Sequence, residues 1–222
     1  MNINRKTQVS IGIIGAGALG SNVARLLARS GIAATIANRR GPSSLASLVK
    51  DLNPFIKAGP TDEAAKADIV ILAVRWADLQ TALDGLPYWS GRIVIDATNP
   101  VAFLASDSSD RTDPNNPLAA YGLKTIDLGG KVSTRVVGGF VPGARVVKAF
   151  NHLPVNLLPE PAACGGKRVL FYSGDDAGAK AKVRKVLERT GAFPVDLGTL
   201  DVGAPLVSMP FGPFAGISLI KE

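Results

Sequence analysis

Three glycines at positions 15, 17 and 20, set between an apolar run and a helical pattern, leave this chain few folds to adopt. The run Val9–Ile14 reads as a buried strand, and Leu19–Ser30 carries the periodicity of a helix. In a strand–turn–helix setting the six residues Gly15, Ala16, Gly17, Ala18, Leu19 and Gly20 have a physical division of labour. Gly15 permits the tight turn, Gly17 lets a pyrophosphate approach the backbone, and Gly20 allows the helix to pack closely on the strand. The helix start then points free N–H groups and a positive dipole end at the phosphates. A dinucleotide is the expected ligand.

Beyond this turn the chain alternates short β-branched runs with helical segments, the rhythm of βαβ units. Further strands are predicted at Ala33–Ala37, Phe55–Ala58, Asp68–Val74, Arg92–Ala97, Arg145–Phe150, Arg168–Tyr172 and Phe193–Leu197. Helices are predicted at Ala18–Ser30, Ser43–Leu52, Thr61–Lys66, Trp76–Leu83, Val132–Phe140 and Ala177–Thr190. Gly31, Gly85 and Gly191 follow helical patterns, where left-handed C-caps are expected. The fold class is α/β: a Rossmann-type, doubly wound, mostly parallel sheet with helices on both faces. Residues 1–222 read as a single domain, with 101–130 as an irregular insertion. Within it, Ser106–Pro117 is rich in Ser, Asp, Asn and Pro and predicts a long loop. Residues 199–222 are read as a segment that closes over the site or forms a homodimer contact.

Composition removes several alternatives. No stretch approaches the ~18 consecutive apolar residues of a membrane helix, and no cleavage pattern follows Val9–Ile14, so a cytoplasmic protein is expected. The one cysteine, Cys164, forms no disulfide within the chain, and with one histidine a zinc site would have to be mostly carboxylate. A Ser-His-Asp triad would depend on His152, and no Gly-x-Ser-x-Gly elbow supplies its serine. The net charge of +7 raises the question of nucleic acid. The basic residues are scattered, however, and the densest run (Lys180, Lys182, Arg184, Lys185) lies on an amphipathic helix, so no nucleic-acid partner is expected.

Cofactor choice is read at the end of the second strand. NAD-binding folds place Asp or Glu about 20 residues past the glycine motif to bond the ribose hydroxyls. This chain has Asn38, Arg39 and Arg40 there instead. A carboxylate would repel a 2′-phosphate, whereas a guanidinium bonds it with charge assistance, and Asn38 can add an amide donor. NADP(H) is therefore the expected cofactor. Two more strand ends face the same crevice, Ala73-Val74-Arg75 and Asn99-Pro100, and should line the ribose and nicotinamide. Arg75 is read either as a phosphate or substrate contact or as a surface residue beside the next helix, and Trp76 as a packing residue.

The chain resembles the small NADP-dependent oxidoreductases typified by NADPH:coenzyme F420 oxidoreductase. It is also similar to the cytosolic NADPH–flavin domain of the six-transmembrane metalloreductases. The resemblance rests on Gly15–Gly20, Asn38-Arg39-Arg40, Asp96-Ala97-Thr98-Asn99-Pro100 and Val146-Val147-Lys148-Ala149-Phe150-Asn151, with Gly174-Asp175-Asp176 and Pro194-Val195-Asp196-Leu197-Gly198 further on. It implies hydride transfer between NADP(H) and a flat acceptor, FMN, FAD or coenzyme F420. It also implies that Arg39 grips the 2′-phosphate and that Asn99, Pro100, Ala149, Phe150 and Asn151 shape the pocket for the two rings. His152 and the Ser106–Pro117 elaboration depart from the family pattern.

Hydride transfer between stacked rings needs positioning and exclusion of water, and no protein acid or base. An alternative is reduction of a small carbonyl or imine. That reaction requires a proton donor, for which His152, held by Asn151, is the natural candidate. A third reading, from another class, is a non-catalytic NADP(H)-binding redox sensor.

Overall fold

A computed structural model of the chain describes residues 9–162 and 165–222; Cys164 lies outside the described residues. The strands are β1 (Ile11–Ile14), β2 (Ala34–Ala37), β3 (Ile56–Ala58), β4 (Ile69–Leu72), β5 (Ile93–Asp96), β6 (Val101–Phe103), β7 (Leu123–Thr125), β8 (Arg145–Ala149), β9 (Lys167–Gly174), β10 (Phe193–Asp196) and β11 (Ile220–Lys221). The helices are α1 (Ala18–Arg29), α2 (Ala46–Asp51), α3 (Thr61–Ala65), α4 (Leu79–Leu83), α5 (Ser133–Phe140), α6 (Ala177–Arg189) and α7 (Leu200–Val207).

The main sheet has the order β10-β9-β8-β5-β4-β1-β2-β3, with β11 added to β9. From β3 to β8 every pairing is parallel. All four residues are buried in each of β1, β2, β4 and β5, as expected for strands covered on both faces. Side chains alternate across the sheet. Ile13, Ile71 and Ile95 meet Val23, Leu27, Val183 and Leu187 of α1 and α6 on one face. Ile14, Val70, Leu72 and Val94 meet Leu79, Leu83 and Val137 of α4 and α5 on the other. This is the expected Rossmann-type α/β architecture.

Most element ends shift by one or two residues from the sequence expectation. α2 and α4 each begin three residues late, behind a 3-10 turn (Pro42–Leu45 and Trp76–Asp78). Three features differ in kind. First, β9 runs antiparallel to β8, pairing Val147 with Gly174, and β10 follows β9. A parallel neighbour requires a crossover connection, usually helical, and among the described residues the connection from β8 to β9 holds no α-helix, only short 3-10 turns such as Val155–Leu157. Second, residues 101–130 are not wholly irregular: β6 and β7 form an antiparallel hairpin, pairing Val101 with Thr125. Asn116 braces the loop between them, donating to the Asp110 and Leu123 carbonyls, each at 2.9 Å. Third, Leu200–Val207 is a helix despite Pro205, burying Leu200, Gly203, Ala204 and Val207 on one face.

Gly31, Gly85 and Gly191 take positive φ values of 67°, 69° and 83°, as expected past helix ends. Among the described residues no helix is long and apolar enough to cross a membrane.

Candidate functional site

The glycine turn lies where β1 gives way to α1. Gly15 has φ +106° and its N–H donates to the Ala37 carbonyl at 2.9 Å. A Cβ on Gly15 would lie 2.4 Å from the Ala73 carbonyl oxygen, and one on Gly20 only 1.9 Å from that of Gly15. Both glycines are therefore needed by the fold itself. Gly17 is different, because a Cβ there would meet nothing within 4 Å. It opens the backbone at the helix start to whatever sits outside. Ala16 and Leu19 pack on the core, while Ala18 is exposed. α1 begins with Gly17 as N-cap, without a side-chain cap and without an acidic residue in its first turn. Its first N–H groups lack intrahelical acceptors, so the turn offers donors and positive potential to an anion.

Asn38, Arg39 and Arg40 follow β2 directly. Asn38 serves the loop first: its Oδ1 accepts from the Arg40 N–H at 2.9 Å and its Nδ2 donates to Ser44 Oγ at 3.0 Å. Arg39 and Arg40 are exposed, and among the described residues neither forms an ion pair. Two guanidinium groups thus stand beside the turn with their charge uncommitted.

Ala73 is buried and Val74 half-buried after β4. Arg75 is exposed, and its guanidinium lies 4.8 Å from the ring centre of Phe103 in the β6–β7 hairpin, a cation–π contact. Trp76 is half-buried and packs on the core, as expected.

The ends of β5 and β8 are joined side chain to side chain. Asn99 Nδ2 donates to the Asn151 carbonyl at 2.9 Å, and Asn151 Nδ2 donates to Asn99 Oδ1 at 3.0 Å and to the Val207 carbonyl at 2.9 Å. The Met209 N–H also donates to Asn99 Oδ1, at 3.0 Å. Asn151 Oδ1 is buried without a partner. Pro100 and Ala149 are buried. Phe150, fully buried, holds φ +67°, a left-handed conformation rare for a bulky residue. Strain of this kind costs on the order of 1–3 kcal/mol and persists only where the surroundings impose it.

His152 sits apart from this arrangement. It is 1% exposed, its ring centre is 5.0 Å from that of Phe171, and neither ring nitrogen has a hydrogen-bond partner. Burial pushes its pKa down to about 4. The imidazole is closed to solvent and neutral at physiological pH, an environment for packing more than for donating protons. Residues after α7 strap it down, with the Gly216 N–H donating to its carbonyl and Phe214 stacked on Phe171.

The shift has a consequence for stability. An unfolded histidine takes up its proton near pH 6.5, so between pH 6.5 and 4 the unfolded chain binds more protons than the folded one. The stabilisation is complete above about 6.5 and is lost as the pH falls towards 4, reaching about 3 kcal/mol. Urea midpoints at pH 7 and pH 4.5 should show this loss, and His152→Leu should flatten the slope.

Two buried ionic residues were not singled out from the sequence as site residues. Lys148 in β8 and Asp96 in β5 are fully buried, with Nζ 3.0 Å from Oδ2. The readable signal was a charge inside each of two apolar strands. The contribution of the Val207–Met209 backbone had no such local signal.

A family described as NADP oxidoreductase, coenzyme F420-dependent, matches residues 10–100 of the chain. Among solved structures, the hypothetical protein SMa0349 from Sinorhizobium meliloti is 38% identical with a TM-score of 0.85, and 98% of each chain is covered. A protein from Arthrobacter sp. FB24, described as an F420-dependent NADP-reductase, is 24% identical with a TM-score of 0.64, covering 87% of this chain and 86% of that one. Metalloreductase STEAP3 of Rattus norvegicus is 24% identical over 206 residues, which is 92% of this chain and 37% of the relative. The chain thus spans little more than a third of that curated relative.

Proposed function

Because the chain belongs to the coenzyme F420-dependent NADP oxidoreductase family, we propose that it is an NADP(H)-dependent oxidoreductase whose acceptor is a flat flavin or F420-type deazaflavin ring. The observation that carries the cofactor half is the uncapped start of α1, open at Gly17 and flanked by the uncommitted Arg39 and Arg40. The α1 N–H groups hold the pyrophosphate, and Arg39, with Arg40 beside it, takes the 2′-phosphate. Asn38 holds the loop that carries both arginines. Ala73, Val74, Asn99, Pro100, Ala149, Phe150 and Asn151 form the wall along which the nicotinamide half lies.

When bound, NADPH supplies a hydride. The wall residues orient its ring and exclude water, which is the protein's share of such chemistry. The flat acceptor is supported by the chemistry of that wall, where the ends of β5 and β8 carry the Asn99 and Asn151 amides and the Thr98 hydroxyl is buried and committed to Asp96. Lys148 and Asp96 are buried against each other, and His152 is buried and neutral. A carbonyl or imine acceptor needs a proton donor at the reacting atom, whereas a flavin or deazaflavin ring delocalises the charge of the incoming hydride and needs none there in that step.

The test is NADPH oxidation with FMN, FAD and F420 against a carbonyl and imine panel. Turnover confined to the panel sinks the acceptor assignment, and no turnover with any acceptor favours a sensor. The 2′-phosphate assignment has its own test. Arg39→Ala should weaken NADPH binding about tenfold to a hundredfold, the range of one or two charge-assisted hydrogen bonds, and leave NADH binding nearly unchanged. Equal losses for both nucleotides contradict it.

A further inference from the structure

Lys148 directly precedes Ala149 of the proposed wall, and its partner Asp96 lies three residues before Asn99. Both side chains are fully buried. Burial pushes the Lys148 ammonium below its ordinary pKa, and the Asp96 charge opposes that shift. A buried ion pair is poor evidence of stabilisation, since apolar residues of similar volume often do as well or better. What apolar residues cannot supply is direction. Asp96 Oδ1 accepts from the Thr98 N–H at 2.9 Å and from Thr98 Oγ1 at 2.7 Å. From the neighbouring strand, Lys148 Nζ donates to Asp96 Oδ2 at 3.0 Å and to the Thr98 carbonyl at 2.5 Å. The N–H, hydroxyl and carbonyl of Thr98 are all fixed by one ion pair. The next residue is Asn99, whose amide links β5 to β8 through Asn151.

We propose that Lys148 and Asp96 are positioning residues that clamp the Thr98–Asn99 turn and so order the nicotinamide end of bound NADPH, while the affinity comes from the phosphate end. This rests on the reading that NADPH binds along the wall from Gly17 to Asn99. It separates two quantities that a merely structural pair would move together. The α1 turn and Arg39 belong to other elements, so loosening the clamp leaves affinity in place. The ring loses its fixed environment, and a displacement of about 1 Å at the reacting atom can cost ~100-fold in rate.

The test is the double variant D96N/K148M in the full chain, which removes both charges without stranding either. Thr98→Val, which deletes only the hydroxyl bond, is the milder second variant. Each is titrated with NADPH, reading the dissociation constant and the emission of the bound nicotinamide, with a thermal melt as control. The dissociation constant should stay within about threefold of wild type, less than 1 kcal/mol. The emission of bound NADPH should fall towards that of the free nucleotide, more in the double variant than in Thr98→Val. Turnover with the best acceptor should fall through kcat, with KM for NADPH little changed. Wild-type emission and wild-type turnover in the double variant overturn the proposal. So does a parallel loss of affinity and emission in both variants, which would mean the pair supports the fold alone. Failure of wild-type protein to bind NADPH removes the underlying reading, and this proposal with it, and is separately visible.

Discussion

Replacing Gly17 by valine is expected to raise the dissociation constant for NADPH about a hundredfold or more, equivalent to ~3 kcal/mol, while the protein stays folded. Gly17 has φ −75° and ψ −167°, an extended conformation that valine adopts readily. Its Cβ would meet nothing within 4 Å. The branched side chain would stand over the first N–H groups of α1, in the space assigned to the pyrophosphate. NADH should lose affinity to a similar degree, because both nucleotides carry that group. Gly20→Ala is the contrasting control. Its methyl would lie 1.9 Å from the Gly15 carbonyl oxygen, so it should fail in folding before binding can be measured. Nucleotide titration with a thermal melt separates the two. A Gly17→Val protein that binds NADPH normally would place the nucleotide elsewhere.

The largest expected loss of stability comes from Lys148→Met. This change keeps most of the side-chain volume and leaves Asp96 as a fully buried carboxylate whose cationic partner is gone. Breaking a buried pair on one side costs about 3–5 kcal/mol. For a domain of this size that is a fall in Tm of roughly 6–20 °C. D96N/K148M should recover most of it, since no buried charge then lacks a partner. Denaturant midpoints of the three proteins at pH 7 decide the matter. A single variant as stable as wild type would mean that water reaches the pair.

Much of the fold was legible because its signals are local. The glycine spacing, the β-branched runs and the position of Arg39 counted from Gly20 each lie within a short window of sequence. α7 was not legible, because Gly203 and Pro205 are helix breakers by propensity. The tertiary structure overrides this, since a Cβ on Gly203 would lie 2.5 Å from that of Ser173. The β6–β7 hairpin escaped notice because its strands are three residues each, and Phe103 on its rim is exposed. In the candidate site the glycine turn and the exposed arginines beside it were readable for the same local reason. The clamp on Thr98 was not, because Asp96 and Lys148 are 52 residues apart and only the parallel pairing of β5 and β8 brings them together.

The oxygen Oδ1 of Asn99 accepts from two segments that are far apart in the chain, Asn151 and Met209, the latter 110 residues away. During synthesis from the N-terminus, the glycine turn, β1, β2 and β4 are all complete within the first 72 residues. The Asn99 junction cannot close until Met209 has left the ribosome. Domains fold as their segments emerge, and contacts across long loops form late because closing the loop carries an entropic cost. The two halves of the crevice are therefore expected to mature at different times. A nascent chain would have the half proposed to grip the phosphates early, and the half proposed to order the ring only after Met209 has emerged.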